Sequence, residues 1–184
     1  TYDRRQLLIT LPKTYSRLDT ARVTIEYVAK PNELPQGLFG GNPGDKGLYF
    51  INADGLDDPK PRQIWTQGET EANSCWFPTV DSPNEKITQD FYITVDTLYT
   101  TLSNGLLVSA TTNGDGTRTD HWRQALPHAP YLAMLAVGEF YVDRELLPTG
   151  IELSYYVERD YAPHVRAIFG RTPDDRFFLE CIWS

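Results

Sequence analysis

The densest run of residues able to do chemistry is Gln63-Ile-Trp-Thr-Gln-Gly-Glu-Thr-Glu-Ala-Asn-Ser-Cys-Trp-Phe-Pro-Thr-Val-Asp-Ser-Pro-Asn-Glu-Lys86. A strand closing on Trp65 and Thr66 opens into Gln67, Gly68, Glu69 and Glu71. A Trp-Phe-Pro turn and an Asp-Ser-Pro turn follow. Gly68 lets the backbone bend or approach a ligand closely. Glu69 could hold a cation, with Gln67 beside it able to donate or accept a hydrogen bond. The plainer reading is that these are exposed residues after a strand. Glu69 and Glu71 also offer two carboxylates, as glycoside hydrolysis requires, but a spacing of two is a thin signal for that chemistry.

Other reactive residues are scattered. His121, His128 and His164 form no i, i+4 pair with an adjacent Glu, which a zinc-binding helix needs. They read as surface or turn histidines. Cys75 precedes Trp76 with no histidine near it in sequence, so it reads as a small packing residue rather than a nucleophile. The only other cysteine is Cys181, so a disulfide framework and a four-thiolate metal site are both excluded. There is no Gly-x-Ser-x-Gly elbow. The residues alone supply no metal site and no complete catalytic apparatus.

The elements that must position these residues are mostly strands. Val23, Ile25 and Tyr27 alternate with Thr24, Glu26 and Val28, and Ile151, Leu153, Tyr155 and Val157 alternate with Glu152, Ser154, Tyr156 and Glu158. A period of two marks strands with one buried face. Further strands are predicted over Gln6–Leu11, Gly47–Asn52, Phe91–Val95, Gly105–Thr112, Thr117–Gln124 and Leu132–Val142, all rich in Thr, Tyr, Val, Ile and Phe. Asn113-Gly-Asp-Gly116 supplies the residues that accept positive φ, so it predicts a β-hairpin. Pro31 to Lys46 reads as a long loop. It lacks the Gly-Lys-Ser/Thr ending of a phosphate cradle. Only the C-terminal end reads as helix, over Tyr161 to Phe169 and again from Thr172-Pro173-Asp174-Asp175. The change of class near residue 160 suggests a domain boundary there.

With 184 residues the chain can bury a real core, and its 40% hydrophobic and 23% charged residues are ordinary for a globular domain. No apolar stretch approaches the roughly 20 residues of a membrane-spanning helix. A formal charge of −8 repels phosphate backbones and anionic lipid, so nucleic acid and membrane surfaces are poor partners. A cationic ligand such as a free amino terminus suits it better. The chain opens on Thr1 with no basic-then-apolar leader, so it is expected to begin inside a larger protein.

Trp65-Thr-Gln-Gly-Glu69 and Cys75-Trp-Phe-Pro-Thr-Val-Asp81-Ser-Pro83-Asn-Glu-Lys86 resemble the signature of the N-terminal domain of the aminopeptidase N family. These are the zinc aminopeptidases that include leukotriene hydrolase. The family pattern is Thr-Gln-x-Glu (or Gln), then Phe-Pro-x-x-Asp-x-Pro and a Lys. Pro127-His-Ala-Pro-Tyr131-Leu-Ala-Met-Leu-Ala-Val-Gly138-Glu-Phe140 is similar to the family's Pro-Tyr-Leu and Gly-x-Phe strand. Leu153–Glu158 and Ile168-Phe-Gly-Arg-Thr-Pro173 resemble its crossing into the catalytic domain. The resemblance covers nearly the whole chain and is closest to bacterial members.

The resemblance implies an all-β fold, a twisted, saddle-like β-sandwich over residues 1–159. Residues 160–184 would then begin a thermolysin-like catalytic domain. It implies that Glu69 binds the α-amino group of a peptide substrate and that Gln67 lines the same pocket. The implied partners are that peptide and the catalytic domain of the same polypeptide. The implied cofactor is zinc, held by the catalytic domain and not by this chain. The family's Gly-x-Met-Glu-Asn loop and His-Glu-x-x-His motif are missing here, so the chain alone is expected to be inactive. Its first strands are expected to be missing too, and the ending drifts from the pattern after Arg176. Bacterial relatives are often exported, which would make the compartment periplasmic or extracellular. The competing reading is a stand-alone β-sandwich module for peptides or sugars, whose 12% aromatic residues would stack on the ligand.

Overall fold

The computed structural model describes residues 6–34 and 46–173. In chain order its strands are β1 (Gly47–Ile51), β2 (Gln63–Gln67), β3 (Ile87–Asp96), β4 (Thr100–Ser103), β5 (Leu106–Thr112), β6 (Thr117–His128), β7 (Leu135–Gly138), β8 (Phe140–Leu146) and β9 (Glu152–Glu158). A short helix, α1 (Val165–Phe169), follows a 3₁₀ turn over Arg159–His164. One antiparallel sheet runs β1-β2-β7-β4 and another runs β3-β6-β5, while β8 and β9 form a two-stranded ribbon. The architecture is all-β, as the alternating pattern predicts, and sandwich-like, as the resemblance implies.

The two larger sheets meet through β4 and β6. Inward residues of β3 (Gln89, Phe91, Ile93, Val95) alternate with exposed Asp90, Tyr92, Thr94 and Asp96, as the pleat requires. Leu48, Trp122, Ala129, Ala133 and Val137 are buried. Polar residues are buried with them. Thr101 and Asp120 are only 2% and 3% exposed. The Trp122 indole N–H donates to Thr101 Oγ1 at 2.9 Å, and that hydroxyl donates to Asp120 Oδ2 at 2.7 Å. Arg118 grips the same carboxylate with two bonds, of 2.7 and 2.9 Å, and donates to the Tyr99 carbonyl. Burial by itself would push the Asp120 carboxyl up. The hydrogen bonds from Arg118 and Thr101 and the Arg118 charge outweigh it and hold the carboxyl below its ordinary value.

The predicted hairpin joins β5 to β6. Asn113 N–H bonds the Thr117 carbonyl at 2.8 Å, Asp115 accepts the Thr117 N–H at 3.0 Å, and Gly116 takes a φ of 88°. β5 itself is exposed on both faces, and its outer edge pairs with no strand among the described residues. An uncharged, apolar edge of that kind invites pairing between molecules. Replacing Leu106, which is 77% exposed, with Lys is expected to lower self-association in sedimentation velocity. Its stability should change by no more than about 0.5 kcal/mol. Unchanged association would show that molecules stick elsewhere.

Three expectations are corrected. Gln6–Leu11 and Val23–Val28 are not strands, and only Leu7 makes an isolated bridge. Among the described residues their alternation joins no ladder, and Leu8 and Val28 lie 70% and 82% exposed. Leu132–Val142 is not one strand. A 3₁₀ turn covers Pro130–Leu132, and β7 ends at Gly138, where the chain leaves the four-stranded sheet for the ribbon. A Cβ on Gly138 would crowd the Phe140 ring, which would have to shift. The helical C-terminal segment is present, although its first half is 3₁₀. There α1 lies on the ribbon: Phe169 stacks on Tyr155 with centroids 5.1 Å apart, and Arg166 pairs with Asp143 at 3.0 Å. Residues 174 and 175 of the second predicted helix, Cys181, and positions 35–45 of the long loop lie outside the described residues.

Candidate functional site

β2 lies between β1 and β7, and its residues alternate between two faces. Ile64 and Thr66 turn one way, with Thr66 Oγ1 accepting the Leu135 N–H at 3.0 Å. Trp65 and Gln67 turn the other. Trp65 stacks on its cross-strand partner Tyr49 with centroids 4.8 Å apart, a favourable aromatic pair. The strand thus delivers Gln67 to its end as an exposed amide.

Directly beyond it the chain turns sharply. Gly68 is buried while Glu69, Thr70 and Glu71 are exposed. The Ala72 N–H closes the turn onto the Gly68 carbonyl at 2.9 Å, and a 3₁₀ turn follows over Asn73–Cys75. The Glu69–Thr70 peptide bond is cis. A Cβ on Gly68 would overlap the Tyr131 carbonyl oxygen and the Asn73 amide, so only glycine fits between them. Gln67 and Glu69 therefore flank one tightly held glycine. Glu71 is exposed on the same turn, and its carbonyl accepts the Ser74 hydroxyl at 3.3 Å.

Asn73, which the sequence does not single out, anchors this turn. It is fully buried. Its Nδ2 donates to the carbonyls of Pro130 and Ala133 at 2.7 and 2.9 Å, and its Oδ1 accepts the Trp76 indole N–H at 2.9 Å. The Pro130–Leu132 turn is held from the other side by Asn104, which donates to the Leu132 carbonyl and accepts the Met134 N–H. Ser103 adds a bond to the Met134 carbonyl at 2.6 Å. The Trp76 ring meets Phe77 and Phe91 edge-on at 4.6 and 5.9 Å. An exposed acid is carried here on a backbone with little freedom.

The histidines stay apart. His121 stacks on Tyr92 and lies 2.6 Å from Asp90 Oδ1. His128 Nε2 is 3.2 Å from Gln89 Oε1, and exposed His164 ends the 3₁₀ turn before α1. Among the described residues no three His, Cys, Asp or Glu side chains converge, so they do not fit a zinc ion. No helix among them is long and apolar enough to cross a membrane.

The family model of the peptidase M1 N-terminal domain matches residues 1–132. The chain is also similar to transcription initiation factor TFIID subunit 2 of Gallus gallus, at 28% identity over 139 residues, covering 73% of this chain and 11% of that protein. Among solved structures, it is similar to Legionella pneumophila aminopeptidase A in complex with aspartic acid. That likeness has a TM-score of 0.52 and 24% identity, covers 64% of this chain and 13% of the other, and speaks for the fold alone. The chain thus spans 11% and 13% of the lengths of these two proteins. With 132 of its 184 residues matched, the chain belongs to the peptidase M1 N-terminal domain family.

Proposed function

We propose that this chain is the substrate-anchoring N-terminal part of a zinc-dependent aminopeptidase that removes amino-terminal residues from peptides. Glu69 receives the substrate's α-ammonium group, and Gln67 lines the same pocket. The observation that carries this reading is an exposed carboxylate on a turn fixed by buried hydrogen bonds. A charge-assisted contact to an ammonium is short and strong, and a rigid carrier turns it into a ruler. With the first residue pinned, the reacting centre falls at a fixed distance from it, and single residues are released. Zinc and the groups that move protons belong to the rest of the polypeptide, with residues 160–184 opening that part.

The test is Glu69→Gln in the full-length polypeptide carrying this chain, assayed on an aminoacyl anilide. Losing the charge while keeping the shape is expected to lower kcat/KM about ten- to hundredfold, mainly through KM. Unchanged kinetics would overturn the anchor. The 184-residue chain alone is expected to show no hydrolysis that a chelator abolishes. Substantial chelator-sensitive turnover would contradict that division of labour.

A second reading is a non-catalytic binding domain. Its support is the relative named as a transcription initiation factor, which shows that a similar chain occurs in a protein not named as a peptidase. A full-length polypeptide with no aminopeptidase turnover, yet saturable binding of a peptide or sugar, would favour it.

A further inference from the structure

Asp81 closes the Phe-Pro-Thr-Val-Asp motif, yet it lies outside the anchor and no step assigned above uses it. Its Oδ2 accepts the Ser74 backbone N–H at 2.8 Å, seven residues back along the chain. Its Oδ1 is buried with no hydrogen-bond partner among the described residues. A carboxylate oxygen buried and unsatisfied is costly, and such a group needs an explanation. The explanation lies in what the other oxygen holds. Ser74 is the middle residue of the 3₁₀ turn Asn73–Cys75, so Asp81 fixes that turn from one side. Asn73, the turn's first residue, is fixed from the opposite side by the Pro130 and Ala133 carbonyls. Trp76, just after the turn, donates to Asn73 Oδ1. The Asn73 amide packs directly on Gly68, whose next residue is Glu69.

We infer that Asp81 is a positioning residue which, through Ser74 and Asn73, sets where the Glu69 carboxylate points. This rests on the anchor reading above. Asp81 touches no substrate. It keeps the Asn73 amide pressed against Gly68, so that the carboxylate leaves the turn in one direction only. Preorganisation of this kind shows up as discrimination between ligands with and without an amine, because only the amine feels the direction of the carboxylate.

The experiment uses the full-length polypeptide and two competitive inhibitors, leucinamide and its desamino counterpart isocaproamide. The ratio of their inhibition constants reads the amine contact alone. Asp81→Ala is expected to shrink that ratio about fivefold or more, towards the value given by Glu69→Gln, since one fixing bond of the turn is gone. Asp81→Asn retains an oxygen for the Ser74 N–H and is expected to keep the ratio within about twofold of the parent. If Asp81→Ala does not fold, Trp76→Phe reports on the same path. It keeps a ring against Phe77 and Phe91, removes the indole donor to Asn73 with part of the ring, and should shrink the ratio about two- to threefold. A ratio that holds in the folded variants while the melting temperature falls would make Asp81 merely structural and overturn the inference. If Glu69→Gln shrinks the ratio and Asp81→Ala does not, the anchor stands and the positioning role falls. If Glu69→Gln leaves the ratio intact, both fall.

Discussion

Asn73→Asp is expected to cost about 3–5 kcal/mol of folding stability, more than any other single change in the anchor turn. The side chains have nearly the same shape, so the effect isolates chemistry from packing. In the native protein both amide hydrogens are used, one on the Pro130 carbonyl and one on the Ala133 carbonyl. The substitution puts a carboxylate oxygen where the amide stood, facing two carbonyl oxygens in a site with no exposed surface. Two donors vanish, the Ala133 carbonyl loses its amide partner while the Pro130 carbonyl keeps only the Ala133 N–H, and a charge is desolvated. For a chain of this size each kcal/mol moves the midpoint by about 2–4 °C, so the melting temperature should fall by about 6–20 °C in calorimetry. The loss should shrink at low pH. Burial raises the variant's folded-state carboxyl above its unfolded value near about 3.9, so the penalty is complete only above the raised value and relaxes as pH falls towards the unfolded one. A midpoint within about 2 °C of the parent would show that Asn73 does not hold the turn.

That prediction also marks the limit of what the residues disclose when read in order. The hairpin at Asn113–Gly116 and the strand over Glu152–Glu158 are legible because their causes are local, in turn residues that accept positive φ and an unbroken period of two. Gln67 and Glu69 stand out because they follow a strand end directly. Asn73 does not, since its partners lie 57 and 60 residues further on and no pattern near it announces them. Thr100–Ser103 is missed as a strand for a related reason. Its buried side chains are Thr101 and Ser103, which are polar and are satisfied across the interior by Trp122, Asp120 and the Met134 carbonyl. An inward-facing polar residue reads as outward until its partner is seen. Val23–Val28 fails in the opposite sense. The period is right, but a strand is a property of two segments, and none of the described residues pairs with this one.

Arg118→Ala tests that polar interior directly, and about 2–4 kcal/mol of destabilisation is expected. Asp120 is 3% exposed, and Arg118 supplies two of the three hydrogen bonds that compensate its burial. Removing the guanidinium leaves only the Thr101 hydroxyl, whose bond cannot offset a buried charge. The cost stays below that of breaking a fully buried pair because the Arg118 side chain is 24% exposed and water screens part of the interaction. The pH dependence gives the prediction its sign. In the parent the Asp120 carboxyl is held below its unfolded value, so its contribution is present above about pH 3.9 and is lost as pH falls through the lower folded value. In the variant, burial prevails and the carboxyl moves above the unfolded value. The variant therefore recovers relative to the parent on acidification, and the gap between their urea midpoints should narrow steadily from pH 7 towards pH 3. Asp120→Asn in the Arg118→Ala background removes the stranded charge and is expected to return about half of the lost stability. A gap that is the same at both pH values would mean that Arg118 stabilises through packing of its stem on the sheet rather than through the carboxylate. The join between β4 and β6 would then rest on the bonds of Thr101 to Trp122 and Asp120, and Trp122→Phe, losing the indole donor and part of the buried ring, would become the more damaging change.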